Sequence, residues 1–291
     1  MKIKTIIIFI LIIVAFGSGI FIKDDAIRLF DNLNKKVQDF QRTSIGSVLS
    51  EAGKEIFIPA PLKVERSETQ VVLLKSKIIS ETNLQRQENG NLPLLKENYL
   101  LDDAAAAKAN DMFAKQYFEH ISPSGVGPGQ LVKTYGYDYI TAGENLILGN
   151  FSSEKEVVDD WMASPGHRAN ILNGRFTEIG VAVVKSTYEG ETVWIGVQEF
   201  GLPLSTCEEP NVALKLQLDS YKTQLDVLSA QIESKKSQIS STSRQSPTYG
   251  QMVDDYNQLV AQYNSLAEMT KQSIANYNIQ VDYFNKCIAG R

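Results

Sequence analysis

The chain has 291 residues, 43% of them hydrophobic and 22% charged, which is enough for two or three modest folded units and too apolar for a wholly disordered polymer. Its 29 basic and 34 acidic residues leave a net charge of −5, so there is no electrostatic reason to expect a nucleic-acid partner. With 2 histidines and 2 cysteines in the whole chain, any imidazole or thiol chemistry rests on very few positions.

Lys2 and Lys4 precede an uncharged run from Thr5 to Ile22. At ~1.5 Å per residue this run reaches roughly 27 Å, close to the hydrocarbon thickness of a bilayer. Residues 1–23 therefore predict a single membrane-spanning anchor, and the lysines on its N-terminal side place everything after it outside the cytoplasm. Ala15-Phe16-Gly17 has the look of a cleavage site, so a secreted, cleaved product is the alternative. Residues 24–69 follow as a juxtamembrane helix, with Ile27, Phe30, Leu33, Val37 and Phe40 at helical spacing, and a linker at Ile58-Pro59-Ala60-Pro61.

Residues 70–203 mix helical and strand signals. Helices are expected over Val71–Leu84 and Leu101–Phe118, the second with an alanine run that allows close packing on a sheet. Ser153 with Glu156 forms a capping-box pattern opening a helix that buries Val157, Val158, Trp161 and Met162, and Pro165-Gly166 stops it. Ile179–Lys185 and Thr192–Phe200, joined by Tyr188-Glu189-Gly190-Glu191, read as a β-hairpin.

Residues 204–291 change character. Leu214, Leu218, Tyr221, Leu225, Leu228 and Ile232 recur at alternating spacings, and Tyr256, Leu259, Tyr263 and Leu266 begin a second seam. Between the seams lies Ser246-Pro247-Thr248-Tyr249-Gly250, so an antiparallel helical coiled-coil hairpin is expected. Pro247 lies midway between Cys207 and Cys287, and folding there brings the two together as a disulfide.

The candidate chemistry lies in the middle unit. His120 follows a helix, His167 follows Ser164-Pro165-Gly166, and Glu144 is expected in a loop at Gly143-Glu144-Asn145. Two imidazoles and a carboxylate fit a zinc site with one open position, an acid/base pair, or two ordinary polar histidines, and spacing alone does not choose. Ser122 lies near His120, but no oxyanion-hole pattern makes it a nucleophile. Trp161 and Trp194 read as core. Asn145 reads as structural, and Arg168 and Asn170 as braces of a wall.

Several segments in order resemble the SCP/CAP superfamily, the bacterial branch above all. They are Leu92–Asn98, Tyr117-Phe118-Glu119-His120-Ile121-Ser122-Pro123, Gly143-Glu144-Asn145-Leu146, Trp161 to Leu172 through Ser164-Pro165-Gly166-His167-Arg168, and Phe176–Val181. The resemblance implies an α+β fold, a three-layer α-β-α sandwich with a central cleft of two histidines and two acids able to bind a divalent metal. His120 and Glu144 match the first histidine and first acid. The second acid falls on Ser164, with Asp159 and Asp160 out of register, and the second histidine on Arg175, while His167 belongs to the bacterial motif. A full tetrad is therefore not expected, and a metal such as zinc would bind weakly. The function read from this is a membrane-tethered binding module whose His120, Glu144 and His167 cleft takes a metal or a small or lipidic envelope ligand. The rival readings are a metal-assisted hydrolase and an interaction protein that self-associates through its C-terminal hairpin.

Overall fold

The computed structural model describes residues 54–67 and 70–290. The run Thr5–Ile22 and the helix expected within 24–52 lie outside them, and no helix among the described residues is long and apolar enough to cross a membrane. The described chain divides into one unit of residues 54–208 with 287–290 and a second of residues 209–286.

The first unit is an α+β fold around one mixed sheet. In chain order it contains β1 (Glu55–Phe57), β2 (Leu62–Lys63), α1 (Lys75–Glu88), β3 (Lys96–Glu97), α2 (Tyr99–Lys115), α3 (Pro128–Thr134), β4 (Tyr139–Gly149), α4 (Glu154–Ala163), α5 (Pro165–Ile171), β5 (Glu178–Tyr188) and β6 (Glu191–Pro203). The strand order is β1-β4-β6-β5-β3, with β2 also on β4; β6 is antiparallel to both neighbours, and β1, β2 and β3 pair in parallel. The β5–β6 hairpin forms as expected. Glu189 and Gly190 both have positive φ (50° and 90°), the backbone of a two-residue turn whose twist matches the strands it joins.

Side-chain alternation along the strands divides the core. Ile147, Ile179, Val181, Trp194 and Phe200 pack with α1, α4 and α5 on one face, where Trp161 is fully buried. Leu146, Leu148, Ala182, Ile195 and Val197 pack with Ala105, Ala109, Met112 and Phe113 of α2 on the other. The alanine stripe lets α2 lie close to β5: a Cβ on Gly180 would sit 2.1 Å from the Leu101 carbonyl carbon. Asn98 caps α2 by accepting from the Leu100 amide (2.9 Å), and Ser153 caps α4 by accepting from Glu156 N (3.2 Å). Buried Arg86 donates to the carbonyls of Ile171 (2.7 Å) and Asn173 (2.9 Å), which holds the loop after α5 in place.

Three expectations need correction. Glu144 lies within β4, an 11-residue strand buried along its whole length, because helices cover both sheet faces and remove the usual alternation. Pro165 does end α4 but also opens α5, since a proline at the first helical turn loses no hydrogen bond. The segment Ile58–Pro61, expected as a linker to the next domain, instead joins β1 to β2, and both strands extend the sheet along β4.

The second unit contains α6 (Val212–Ser241) and most of α7 (Tyr249–Ile288). On α6 the buried residues are Leu218, Leu225, Ile232 and Ile239, a strict spacing of seven. Leu225, Ile232 and Ile239 meet Tyr256, Val260 and Tyr263, whereas Leu218 meets Ile274, Tyr277 and Val281, so the helices run antiparallel. Cys207 and Cys287 form a disulfide with Cα atoms 5.8 Å apart and a sequence separation of 80.

Two stability outcomes follow. Gly180→Ala should cost at least about 2 kcal/mol in urea unfolding, because the backbone of α2 cannot yield like a side-chain tip; a loss below 0.5 kcal/mol, taken as roughly the surface-substitution level, would contradict the close approach. Replacing both cysteines by serine should lower unfolding stability by up to about 4 kcal/mol, the loop-entropy value for a closure of this length, and an unchanged melting curve would show that the cross-link constrains nothing.

Candidate functional site

On β4 the side chains of Glu144, Leu146 and Leu148 share the α2 face. Glu144 stands opposite Glu199 in the β4–β6 register, and both are fully buried. Two bare carboxylates cannot share such a site, since each would be charged in a medium that solvates neither. Glu199 resolves this by holding its proton: burial first, then the charge of Glu144 beside it, push its pKa well above the usual carboxylate value, against an opposing pull from Lys108. Protonated Glu199 becomes a hydrogen-bond donor towards Glu144, and it needs to be, because neither of its oxygens nor Glu144 Oε2 has another partner.

Lys108 projects from α2 into the same space. Its Nζ donates to the His120 carbonyl at 2.7 Å and lies 5.0 Å from the Tyr117 ring centre. Burial pushes its pKa down, and Glu144 and Glu199 draw it back. The fixed carbonyl holds His120, just past the left-handed Gln116 cap of α2, over the sheet. His120 Nδ1 lies 2.6 Å from Glu144 Oε1, and its Nε2 faces the backbone carbonyl of Pro59. Each ring nitrogen therefore faces an oxygen of another group, and both are engaged within the fold.

His167 reaches the sheet from α5, on the opposite face. Its Nδ1 is 2.8 Å from Ser164 Oγ, and its Nε2 is buried. Its pKa is pushed down to about 4, chiefly by burial and then by His120 nearby, with the Leu146 backbone pulling weakly the other way. His120 and Glu144 are thus bonded to each other. His167 is close enough to His120 to feel its charge but is bonded elsewhere.

The adjacent face of β4 carries a chain of amides. Asn145 Nδ2 donates to the His167 carbonyl (3.2 Å) and to Gln198 Oε1 (3.1 Å), and Gln198 Nε2 donates to Thr82 Oγ1 (2.8 Å). Asn170 Nδ2 donates to Asn145 Oδ1 (2.9 Å) and to the Phe57 carbonyl (3.1 Å). Asn145 is structural as expected, and Asn170 does brace the wall, but Arg168 turns outward to Asn89 (3.0 Å). Ser122 closes a turn with Ser124 Oγ (2.9 Å) and the Val126 amide (3.1 Å). Asp160 pairs with Arg66 (2.6 Å), and Arg175 pairs with Glu55.

As a metal site the trio fits poorly. Both His120 nitrogens are engaged, one of them in direct hydrogen bonding to the carboxylate that would be its fellow ligand. Among the described residues no group of three or more His, Cys, Asp or Glu is arranged to hold a metal ion. Sequence reasoning missed Lys108 and Glu199. Each is a charged residue inside an apolar pattern, Lys108 within the alanine stripe and Glu199 within Trp194–Phe200, and that was the available signal.

Residues 79–200 match the family model described as the cysteine-rich secretory protein family, CAP. This segment is a CAP domain. The chain is 39% identical over 165 residues to the uncharacterized protein YkwD of Bacillus subtilis (strain 168), covering 53% of this chain and 63% of that one. It is 27% identical over 134 residues to the uncharacterized membrane protein YlbC of the same organism, covering 46% and 38%. The chain thus spans less than two thirds of the length of either relative. Among solved structures, an extracellular protein with an SCP domain from Bacillus anthracis str. Ames is 30% identical, covering 44% of this chain and 39% of its own, with a TM-score of 0.37. An outer surface protein from Borrelia burgdorferi is 25% identical, covering 44% and 91%, with a TM-score of 0.39.

Two perturbed groups of the CAP domain, Glu199 and His167, have opposite pH signatures. Folded Glu199 keeps its proton above pH 4.5, where the unfolded chain loses it, so its contribution to stability falls as pH rises from there. Folded His167 stays neutral down to about 4, whereas the unfolded imidazole protonates below 6.5, so its contribution is lost as pH falls through that window. Glu199→Gln keeps the shape and removes the first term. It should be more stable than wild type at pH 7 by more than about 1 kcal/mol, with the gap closing towards pH 4.5, since one proton is worth up to about 1.4 kcal/mol per pH unit. Urea unfolding at the two pH values checks this; a gap independent of pH would mean that Glu199 is ionised in the fold.

Proposed function

We propose that the chain is a membrane-tethered, extracytoplasmic binding module in which the CAP-domain cleft at His120 and Glu144 takes an organic ligand through hydrogen bonds. The observation that carries this reading is the engagement of both His120 ring nitrogens. With Glu144 at Nδ1 and the Pro59 carbonyl at Nε2, neither nitrogen is free to serve as a base. Ser122, the one candidate nucleophile, is committed to its turn. Both features favour recognition over hydrolysis. Tethering rests on the uncharged run Thr5–Ile22 behind Lys2 and Lys4, and the Cys207–Cys287 disulfide suits an oxidising compartment. The α6–α7 pair is a hairpin whose apolar seam is used internally, so self-association is not its first role in this reading.

Protease added to intact cells or spheroplasts should digest the CAP domain, and a protected domain would overturn the topology. Peptide and ester turnover by the purified chain should stay at background for both wild type and Glu144→Gln. A wild-type rate ten-fold or more above that of Glu144→Gln, a loss of ~1.4 kcal/mol in transition-state stabilisation, would replace the binder by an enzyme.

A further inference from the structure

Residues 55–63 lie along the edge of β4 as a strap outside the segment that matches the CAP family. Its two strands use different registers: Phe57 pairs with Gly143 and Leu62 with Ile147, so five strap steps span four of β4. The ladder therefore covers residues 141–143 and 147–148 and skips Glu144, Asn145 and Leu146, the stretch that carries the polar site. Pro59 and Pro61 cross this gap, and neither has an N–H to offer the strand.

What holds the crossing is backbone recognition. His120 Nε2 faces the Pro59 carbonyl, and Asn170 Nδ2 donates to the Phe57 carbonyl at 3.1 Å. Val64 N donates to the Leu148 carbonyl at 2.8 Å. Pro59 rests on Gly166, where a Cβ would come within 2.6 Å of the proline ring, and the Phe57 ring meets Phe176 edge-on at 5.9 Å. The ends are clamped by ion pairs, Glu55 with Arg175 and Arg66 with Asp160. Yet no strap residue is fully buried: Ile56, Phe57 and Ile58 remain 42%, 36% and 45% exposed, and Leu62 packs, partly buried, against the core cluster of Trp161 and Phe200. The strap is bound as a peptide ligand is bound, by main-chain hydrogen bonds and side-chain seats on an existing sheet edge.

We propose that this edge, with His120, Asn170 and Gly166, is a binding site for an extended proline-containing peptide of a partner protein, and that residues 55–63 are its resident, displaceable occupant in cis. The ligand class is read from the strap itself: an aromatic residue, two positions on a proline whose carbonyl meets His120, and a second proline two further on. This rests on the reading of the His120 cleft as a ligand-binding site given under Proposed function.

The test uses the full chain in detergent and Phe57→Ala, which removes the aromatic seat and loosens the strap. Hydrogen exchange should show residues 54–64 opening faster than β5 and β6 in wild type, and faster still in the variant. A fluorescent peptide spanning Lys54–Arg66 should bind Phe57→Ala at least ten-fold more tightly than wild type. Binding should weaken ten-fold or more when His120→Gln is added, with circular dichroism confirming that the double variant is folded. A scrambled peptide should not bind. Exchange of the strap only with global unfolding, or no peptide binding to a folded, strap-released variant, overturns the proposal. So does a shift to dimers on loosening, which would make the occupant a second copy of the chain. Acetyl-prolinamide separates the two levels. If it shifts the His120 ring resonances of Phe57→Ala while the strap peptide fails to bind, the carbonyl-binding cleft stands and the peptide assignment falls; if neither acts, both fall.

Discussion

Glu144 sits in the middle of a strand buried on both faces, where an unpaired carboxylate would cost several kcal/mol in lost hydration. Nearly everything unusual about the site follows from meeting that cost. Lys108 is drawn into an otherwise alanine-rich helix face to supply positive charge. His120 donates to one carboxylate oxygen, and Glu199 retains a proton for the other side of the pair. The result is one carboxylate set among donors, with the two basic groups and the proton arranged around it. Truncating any single member would leave another buried group unpaired, which is the expensive direction of change.

The period-two geometry of β4 gives the site its second half. Glu144 and Asn145 are neighbours in sequence but point to opposite faces, so the carboxylate network grows towards α2 and the amide network towards α1 and α5. Only at the strand's edge can the two meet. There His120 arrives from one face and Asn170 from the other, and both reach the backbone of residues 57–59. A pair of prolines suits this position: a strap with a full set of amides would continue the ladder through Glu144–Leu146 and close the edge that the two side chains use.

Much of this was legible in the sequence, and the pattern of misses is informative. The capping residue Ser153, the β5–β6 hairpin and the Cys207–Cys287 bond were readable because each is decided by local chemistry or by symmetry within a short repeat. The motif residues His120 and Glu144 were also found, and they do lie together. The strand that carries Glu144 was not readable, because a polar pair and two glycines inside Tyr139–Gly149 look like a loop until helices on both sides supply their partners. His167 joins the trio through the Ser164-Pro165-Gly166-His167-Arg168 motif; its helix begins at Pro165, and its Nδ1 meets Ser164 Oγ rather than Glu144. Glu199 and Lys108 were invisible to motif reading, since their meaning depends on a strand register and a helix crossing that no spacing along the chain reveals.

The strap shows why a proline-rich stretch is a poor guide by itself. Ile58-Pro59-Ala60-Pro61 has the composition of a linker, and its neighbours are too few to read as strands, yet it covers the most polar part of the sheet edge. Its attachment is also weak by the measures that matter for a core. The ion pairs at its ends have partly exposed members and are each worth about 1 kcal/mol or less. Main-chain hydrogen bonds add about 1 kcal/mol apiece, and the exposed Ile56 and Ile58 return little of the burial energy that fixes Trp161 or Phe200 beneath. The strap is therefore the low-stability end of a well-packed unit, an element able to open while the rest stays folded. Opening it would uncover His120 Nε2 and the Asn170 amide, whose carbonyl partners leave with the strap. The Asn170 amide keeps its bond to Asn145 Oδ1, but it and His120 each lose one carbonyl partner, which favours the return of an extended chain, whether the same one or another of like shape.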